Sequence, residues 1–356
     1  MIPRCSRCLG FGARDLVEVA GGREHRITNE LRLRRARAAP EKPAHGARGT
    51  GRQVDWIAES GSDAQKEAPV RNSRNVIGQR SLHDGPQAQR NLVDTINQAG
   101  ITLELVGPDN LLECGIGCVT NSKHPGFASK VAWLQERFAE GLRYLLFKDA
   151  EGKPLAFLEY VPGEYAWRRV AAQGWLFIHC LWVYPRGQKV GGLGSRLIQR
   201  CVDEAHRTGA VGVATLASDG PWMAGPQVFA RFGFERVDGA DRFVLLAHRL
   251  RAGEAPRLRL VEESRSAYPG LHLVYSGQCP YLPKSASDLS EVAADLGVEL
   301  HVTLLDTAAK AQEGPSYYGV YALVWNGEVL SDHYVSATRF RSILQKRGIG
   351  RLQADR

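Results

Sequence analysis

The sequence predicts an α/β (α+β) chain in which a mixed sheet flanked by helices is followed by a smaller α/β domain. Three observations carry this expectation. Strand-like and helix-like apolar periods alternate from Ile101 onward. A long apolar run, Trp175 to Tyr184, passes through a glycine cluster into an amphipathic stretch, and a second strand–turn–helix–strand succession begins at Leu271. The length of 356 residues suits about two domains.

Ile101, Leu103 and Leu105 alternate with Thr102 and Glu104, as in a half-buried strand. Val131, Leu134, Phe138 and Leu142 then recur at helical spacing. Two apolar runs, Arg143 to Lys148 and Pro154 to Val161, are joined by Asp149-Ala150-Glu151-Gly152, a hairpin signal. Trp175 to Tyr184 is a longer strand rich in aromatic and branched residues. It leads into Pro185-Arg186-Gly187-Gln188-Lys189-Val190-Gly191-Gly192-Leu193-Gly194-Ser195, read as a loop, and then into a helix with Leu193, Leu197, Ile198, Cys201, Val202 and Ala205 on one face. A strand follows at Ala210 to Ala217.

The residues before this pattern differ in kind. Of 46 Lys+Arg and 38 Asp+Glu in the chain, residues 1–90 hold 17 and 10, leaving 29 and 28 for the rest. The net charge of +8 therefore resides almost entirely in that stretch. Its Arg, Gly, Ala and Pro content and its lack of periodicity mark residues 1–96 as a disordered extension, or as translated sequence upstream of the natural start. Interleaved acids and scarce aromatics argue against nucleic acid as a partner. Seven cysteines are too sparse for a disulfide scaffold, no signal peptide is evident, and no apolar run reaches the roughly 18–20 residues of a membrane span. A cytoplasmic protein with no membrane partner is expected. Cys5 and Cys8 form a CxxC without a second pair, so no metal site is assigned.

A strand, a glycine-rich turn and a helix start make an anion site, because glycines let the main chain approach a ligand and the exposed amides suit a pyrophosphate. GxGxxG is absent, and Lys189 precedes the glycines where a Walker A loop has its lysine after them. Lys189-Val190-Gly191-Gly192-Leu193-Gly194 instead resembles motif A of the GNAT (Gcn5-related) N-acetyltransferases, with Lys in place of Arg or Gln at its first position. Phe229-Ala230-Arg231-Phe232-Gly233-Phe234-Glu235 is similar to the late Gly-Phe segment of that family. The stretches 133–142 and 157–162, with Ala166-Trp167 and the short segment bearing Cys114 and Cys118, look like its YoaP-like branch. The resemblance marks residues 97–250 as a GNAT N-acetyltransferase domain.

It implies acetyl-CoA as co-substrate and a small-molecule amine or aminoacyl acceptor attacked directly in a ternary complex. Backbone N–H groups at Leu181 and Val183 would hold the pantetheine arm and polarise the thioester carbonyl. Val190, Gly191, Gly192, Gly194 and Ser195 would give amides to the pyrophosphate, with Lys189 adding charge. An attacking amine needs a base, for which Glu159 is the candidate. Cys180 is the second catalytic candidate. It neighbours His179 on the strand, and simple alternation would turn only one of the two toward the acceptor. Phe229 stands where the family often has a tyrosine acid, which leaves Tyr184 or water to protonate the thiolate.

Residues 251–267 read as a linker and 268–348 as the smaller domain. Leu271 to Ser276 is a strand and Gly277 to Leu282 a turn. Ser287 starts a helix with Leu289, Val292, Ala293 and Leu296 on one face, and Val298, Leu300, Val302 and Leu304 alternate as a further strand. Asn326-Gly327 predicts a hairpin. Cys279-Pro280-Tyr281 resembles a glutaredoxin motif with Leu282 in place of its second Cys, so the domain is expected to be thioredoxin-like, as in YoaP-like acetyltransferases. A helix start beside Cys279 would favour its thiolate. The alternative function is accordingly a thiol, redox or small-molecule-binding protein whose other half merely binds CoA.

Overall fold

Strand β1 (Thr102–Val106) opens the computed structural model, which describes residues 100–350, all within one compact unit. The expectations for residues 1–96, including Cys5 and Cys8, lie outside the described residues. Helices α1 (Leu111–Cys114) and α2 (Phe127–Ala139) follow. Strands β2 (Arg143–Lys148) and β3 (Pro154–Pro162) form the expected hairpin. Its turn is held by Asp149 Oδ1, which accepts from the Lys153 amide at 2.8 Å, and by Gly152 at φ +75°.

Next come β4 (Val170–Ala171), β5 (Leu176–Val183), α3 (Pro185–Val190), α4 (Leu193–Thr208) and β6 (Gly212–Ala217). Helix α5 (Pro226–Ala230), the β7 (Glu235–Ala240)–β8 (Phe243–Arg249) hairpin, β9 (Arg257–Leu258) and α6 (Glu262–Arg265) lead to the last part of the chain. There β10 (Leu271–Ser276), α7 (Tyr281–Asp295), β11 (His301–Leu305), α8 (Ala308–Gln312), β12 (Tyr321–Trp325), β13 (Glu328–Ser331) and α9 (Ala337–Arg347) complete the fold.

The main sheet has the order β1-β2-β3-β5-β6-β8-β7, mixed because only β5 and β6 run parallel. The second has the order β11-β10-β12-β13, with β10 and β11 parallel and the rest antiparallel. On one face of the main sheet α4 buries Leu193, Leu197, Ile198, Cys201, Val202 and Ala205 against β3 and β5, the stripe its 3.6-residue period requires. The opposite face packs on α2, and its core continues without a break into the second sheet, from Val106 to Leu344. Residues 251–267, expected as a linker, carry β9, paired to β4, and α6.

Several boundaries differ from expectation for physical reasons. Pro185 to Val190 is a short helix rather than loop, since proline suits its first position and Gly191, at φ +76°, ends it. Helix α7 starts six residues before Ser287, because Pro283 falls in the first turn, where its missing N–H would have had no partner. Leu105, Val302 and Leu304 are exposed because β1 and β11 are edge strands, covered on one side less than the alternation suggested. Helix α2 is turned so that Lys130, Trp133, Leu134 and Arg137 face inward, while Val131 and Phe138 are only half-buried.

Candidate active site

The ladder between β5 and β6 covers only Leu176–Ile178 against Val213–Thr215. Strand β5 continues to Val183, so its edge from His179 onward opens away from β6. Helix α4 begins beside this opening. Its N-cap, Gly192, sits in the left-handed region at φ +66°, has no side-chain cap, and leaves the first amides of a 16-residue helix without intrahelical partners. Gly191 is exposed, and a Cβ there would meet open space. A Cβ on Gly194 would lie 3.2 Å from Val183 Cγ2, so glycine lets the helix start approach the strand end. Leu181, Val183 and Val190 pack toward α4, Ser195 is half-buried in its first turn, and Lys189 is exposed. The candidate cofactor-binding residues thus converge on the end of β5 and the start of α4, and bare amides beside glycines fit a diphosphate; the expectation is corrected for Val190 and Gly191, since Val190 ends α3 and the Gly191 amide caps that helix by donating to the Gly187 and Gln188 carbonyls.

The other face holds the polar centre. Glu159 pairs with Cys180 but Tyr160 pairs with Ile178, so His179 is an extra residue, a β-bulge. The bulge cancels the alternation: His179 and Cys180 both face the side of Glu159, contrary to the simple strand reading.

Glu159 is 1% exposed and accepts from Lys130 Nζ at 2.5 Å and from Gln278 Nε2 at 2.8 Å. His179 Nδ1 lies 3.3 Å from Glu159 Oε1, the oxygen that also accepts from Gln278. The Trp167 amide donates to His179 Nε2 at 2.8 Å, so the neutral ring carries its proton on Nδ1. Burial lowers the His179 pKa to about 4 against the pull of Glu159. Burial by itself would raise the Glu159 carboxyl, but Lys130 and His179 outweigh it and hold the pKa at about 2. Burial opposes the Lys130 charge too, yet the Glu159 carboxylate prevails and its pKa rises. The ammonium also lies 4.3 Å from the Trp133 ring centre.

Burial pushes the Cys180 and Cys118 thiols up, leaving both protonated at neutral pH. Tyr184 OH donates to the Gly117 carbonyl and Tyr144 OH to that of Ile116, tying the Cys118 segment to the sheet. Phe229 is buried against Phe234, a core position. Cys279 also lies on this side, half-buried, and desolvation pushes its thiol pKa up to about 12, opposite in direction to the thiolate expected there. A cleft of about 440 Å³ lined by Leu105, Phe138, Leu142 and Arg143 lies apart from these residues. No described helix is long and apolar enough to cross a membrane.

Lys130, Gln278 and Arg168 were not singled out from sequence. For Lys130 a signal existed, since Lys130, Trp133, Leu134 and Arg137 share one helical face.

A strand leading past glycines into the start of a helix is the arrangement expected from the resemblance to Gcn5-related N-acetyltransferases. No family model matches the chain. The chain is similar to the uncharacterized N-acetyltransferase YoaP of Bacillus subtilis, with 27% identity over 243 residues, covering 66% of this chain and 95% of that protein. Among solved structures it is similar to a GNAT family acetyltransferase from Brucella melitensis in complex with acetyl-CoA (19% identity, 44% of this chain and 93% of that one, TM-score 0.29). YhbS from Escherichia coli in complex with CoA is 20% identical over 42% of this chain and 82% of that one, with a TM-score of 0.30.

Proposed function

We propose that the protein is an acyltransferase that moves the acetyl group of acetyl-CoA to the amine of a small-molecule or aminoacyl acceptor. The observation that carries this reading is the bare, glycine-capped start of α4 beside the open edge of β5. The similarity to YoaP along nearly the whole of that protein supports it.

The amides of residues 192–195 bind the pyrophosphate, with Lys189 at the rim, and the free β5 edge near Leu181 and Val183 holds the pantetheine arm and polarises the thioester. The amine attacks the thioester carbonyl, a C–N bond forms, the C–S bond breaks, and the amine proton passes to Glu159. Held ionised, Glu159 is always ready to accept but binds the proton weakly, so its contribution belongs at the low end of about 10²–10⁴-fold. The departing thiolate takes up that same proton from Glu159, which returns the carboxylate to its starting state, while Cys180 beside it stays a neutral thiol.

The second unit is thioredoxin-like in this reading, supported by its strand order and by the turn at Cys279 between β10 and α7. Its raised thiol pKa argues against thiol chemistry as the main activity.

The test is thermal unfolding of the full chain with acetyl-CoA, joined to a screen of amines and aminoacyl compounds for CoA release. A ligand at a hundred times its Kd adds about 2.7 kcal/mol. Gly192→Val, which puts a branched side chain at a left-handed position beside the amides, should abolish that stabilisation. Absence of any shift at millimolar acetyl-CoA overturns the reading.

A further inference from the structure

Gln278 follows β10 of the second sheet, 119 residues along the chain from Glu159, yet its side chain is built into the same buried centre. It is 5% exposed, donates Nε2–H to Glu159 Oε1 at 2.8 Å, and accepts at Oε1 from Arg168 Nη1 at 2.7 Å. A carboxylate only accepts and a guanidinium only donates, so both ends of the amide are fixed. Arg168, 3% exposed, donates also to the Trp167 carbonyl at 2.7 Å and to the His179 carbonyl at 2.9 Å. The bulge in β5, the guanidinium, the amide and the carboxylate therefore form one continuous chain of hydrogen bonds.

The turn bearing Gln278 is seated closely. A Cβ on Gly126 would fall 1.7 Å from the Pro280 carbonyl oxygen, and one on Gly319 would fall 2.7 Å from Arg168 Cα. Glycine at these points lets backbones touch, which seats the Gln278 turn against the start of α2 and the segment before β12 against Arg168.

We propose that Gln278 is a positioning residue for the Glu159 carboxylate, so that the turn after β10 completes the acetyl-transfer site. The proposal rests on the acyl-transfer reading above. Gln278 holds Oε1, with His179 Nδ1 3.3 Å away, while Lys130 holds Oε2, and losing one donor from a buried carboxylate lets it turn toward the ammonium and weakens its ionised form. An amide that merely joined the two sheets would leave the titration of the site untouched.

The experiment measures CoA release from acetyl-CoA by the full chain with an equimolar mixture of putrescine, tyramine and glycinamide. Gln278→Met conserves volume and removes both hydrogen bonds. Gln278→Glu keeps an acceptor for Arg168, and hence the fold, but sets a like charge beside Glu159. Both should lower kcat by about 10- to 100-fold, the range for a hydrogen bond to a charged group, with KM for acetyl-CoA unchanged.

The acid limb of kcat should move to higher pH, furthest in Gln278→Glu, because a neighbouring carboxylate raises a carboxyl pKa. Arg347→Ala, at a surface pair with Glu328 on the same unit, should behave as wild type. A folded Gln278→Glu protein with wild-type kcat, or with a reduced kcat and an unshifted pH profile, overturns the proposal while leaving the acyl-transfer reading intact. A wild type with neither turnover nor stabilisation by acetyl-CoA overturns both.

Discussion

Replacing Lys130 by Met leaves the Glu159 carboxylate in a site of 1% exposure without the ammonium that stands 2.5 Å away. Methionine keeps most of the volume under Trp133, so the cost is electrostatic rather than a cavity. Removing one partner of a buried ion pair typically costs about 3–5 kcal/mol, a large share of the 5–15 kcal/mol, roughly, that holds a folded protein together. Urea unfolding followed by fluorescence would read this as a midpoint lower by about 1–1.7 M, for a slope of about 3 kcal/mol/M.

The sign with pH is specific. In the wild type the folded-state pKa of Glu159, about 2, lies below its unfolded value. Its contribution is therefore complete above the unfolded pKa of about 4.3 and is lost only as pH falls through about 2. In Lys130→Met, burial raises the carboxyl above its unfolded value, so the variant gains stability by protonation, and its deficit shrinks from pH 7 to pH 5. Adding Glu159→Gln should recover part of the loss, making the double variant cheaper than the sum. A Lys130→Met deficit below about 1 kcal/mol at pH 7, or one equal at pH 5 and pH 7, refutes the account of the pair.

Two further outcomes follow from the same burial. Cys279, with its thiol raised to about 12, should react with iodoacetamide at pH 7.5 about 10²–10³-fold more slowly than glutathione, read by mass spectrometry of its peptide; labelling within a few-fold of glutathione refutes the raised pKa. Phe229→Ala should lower stability by about 3–5 kcal/mol as a core truncation, whereas Phe229→Tyr should lose stability without gaining turnover, and a higher kcat would show that this position faces the reaction.

Local signals made much of the main sheet and its helices legible. The period of α4 marked six residues, all buried, and Asp149 to Gly152 turned where a hairpin was expected. The run Lys189 to Gly194 marked the helix start, because glycine conformation and amide exposure are written into a few adjacent residues. Around the second sheet, β10 and the Asn326-Gly327 turn stand where expected.

What the sequence determined by itself was therefore the main strands and helices that carry a clear apolar period, and the candidate anion site, since both depend on neighbours within a turn or two along the chain; the short elements β4, α3, β9 and α6 carry no such period. Tertiary structure alone decided the polar centre. Only the register between β3 and β5 places the bulge that brings His179 and Cys180 to one face. Only the packing of α2 brings Lys130 under Glu159, and only the seating of the β10–α7 turn brings Gln278 to the same carboxylate. Burial, which decides the charge state of each of these groups, comes from segments far apart in sequence meeting in space.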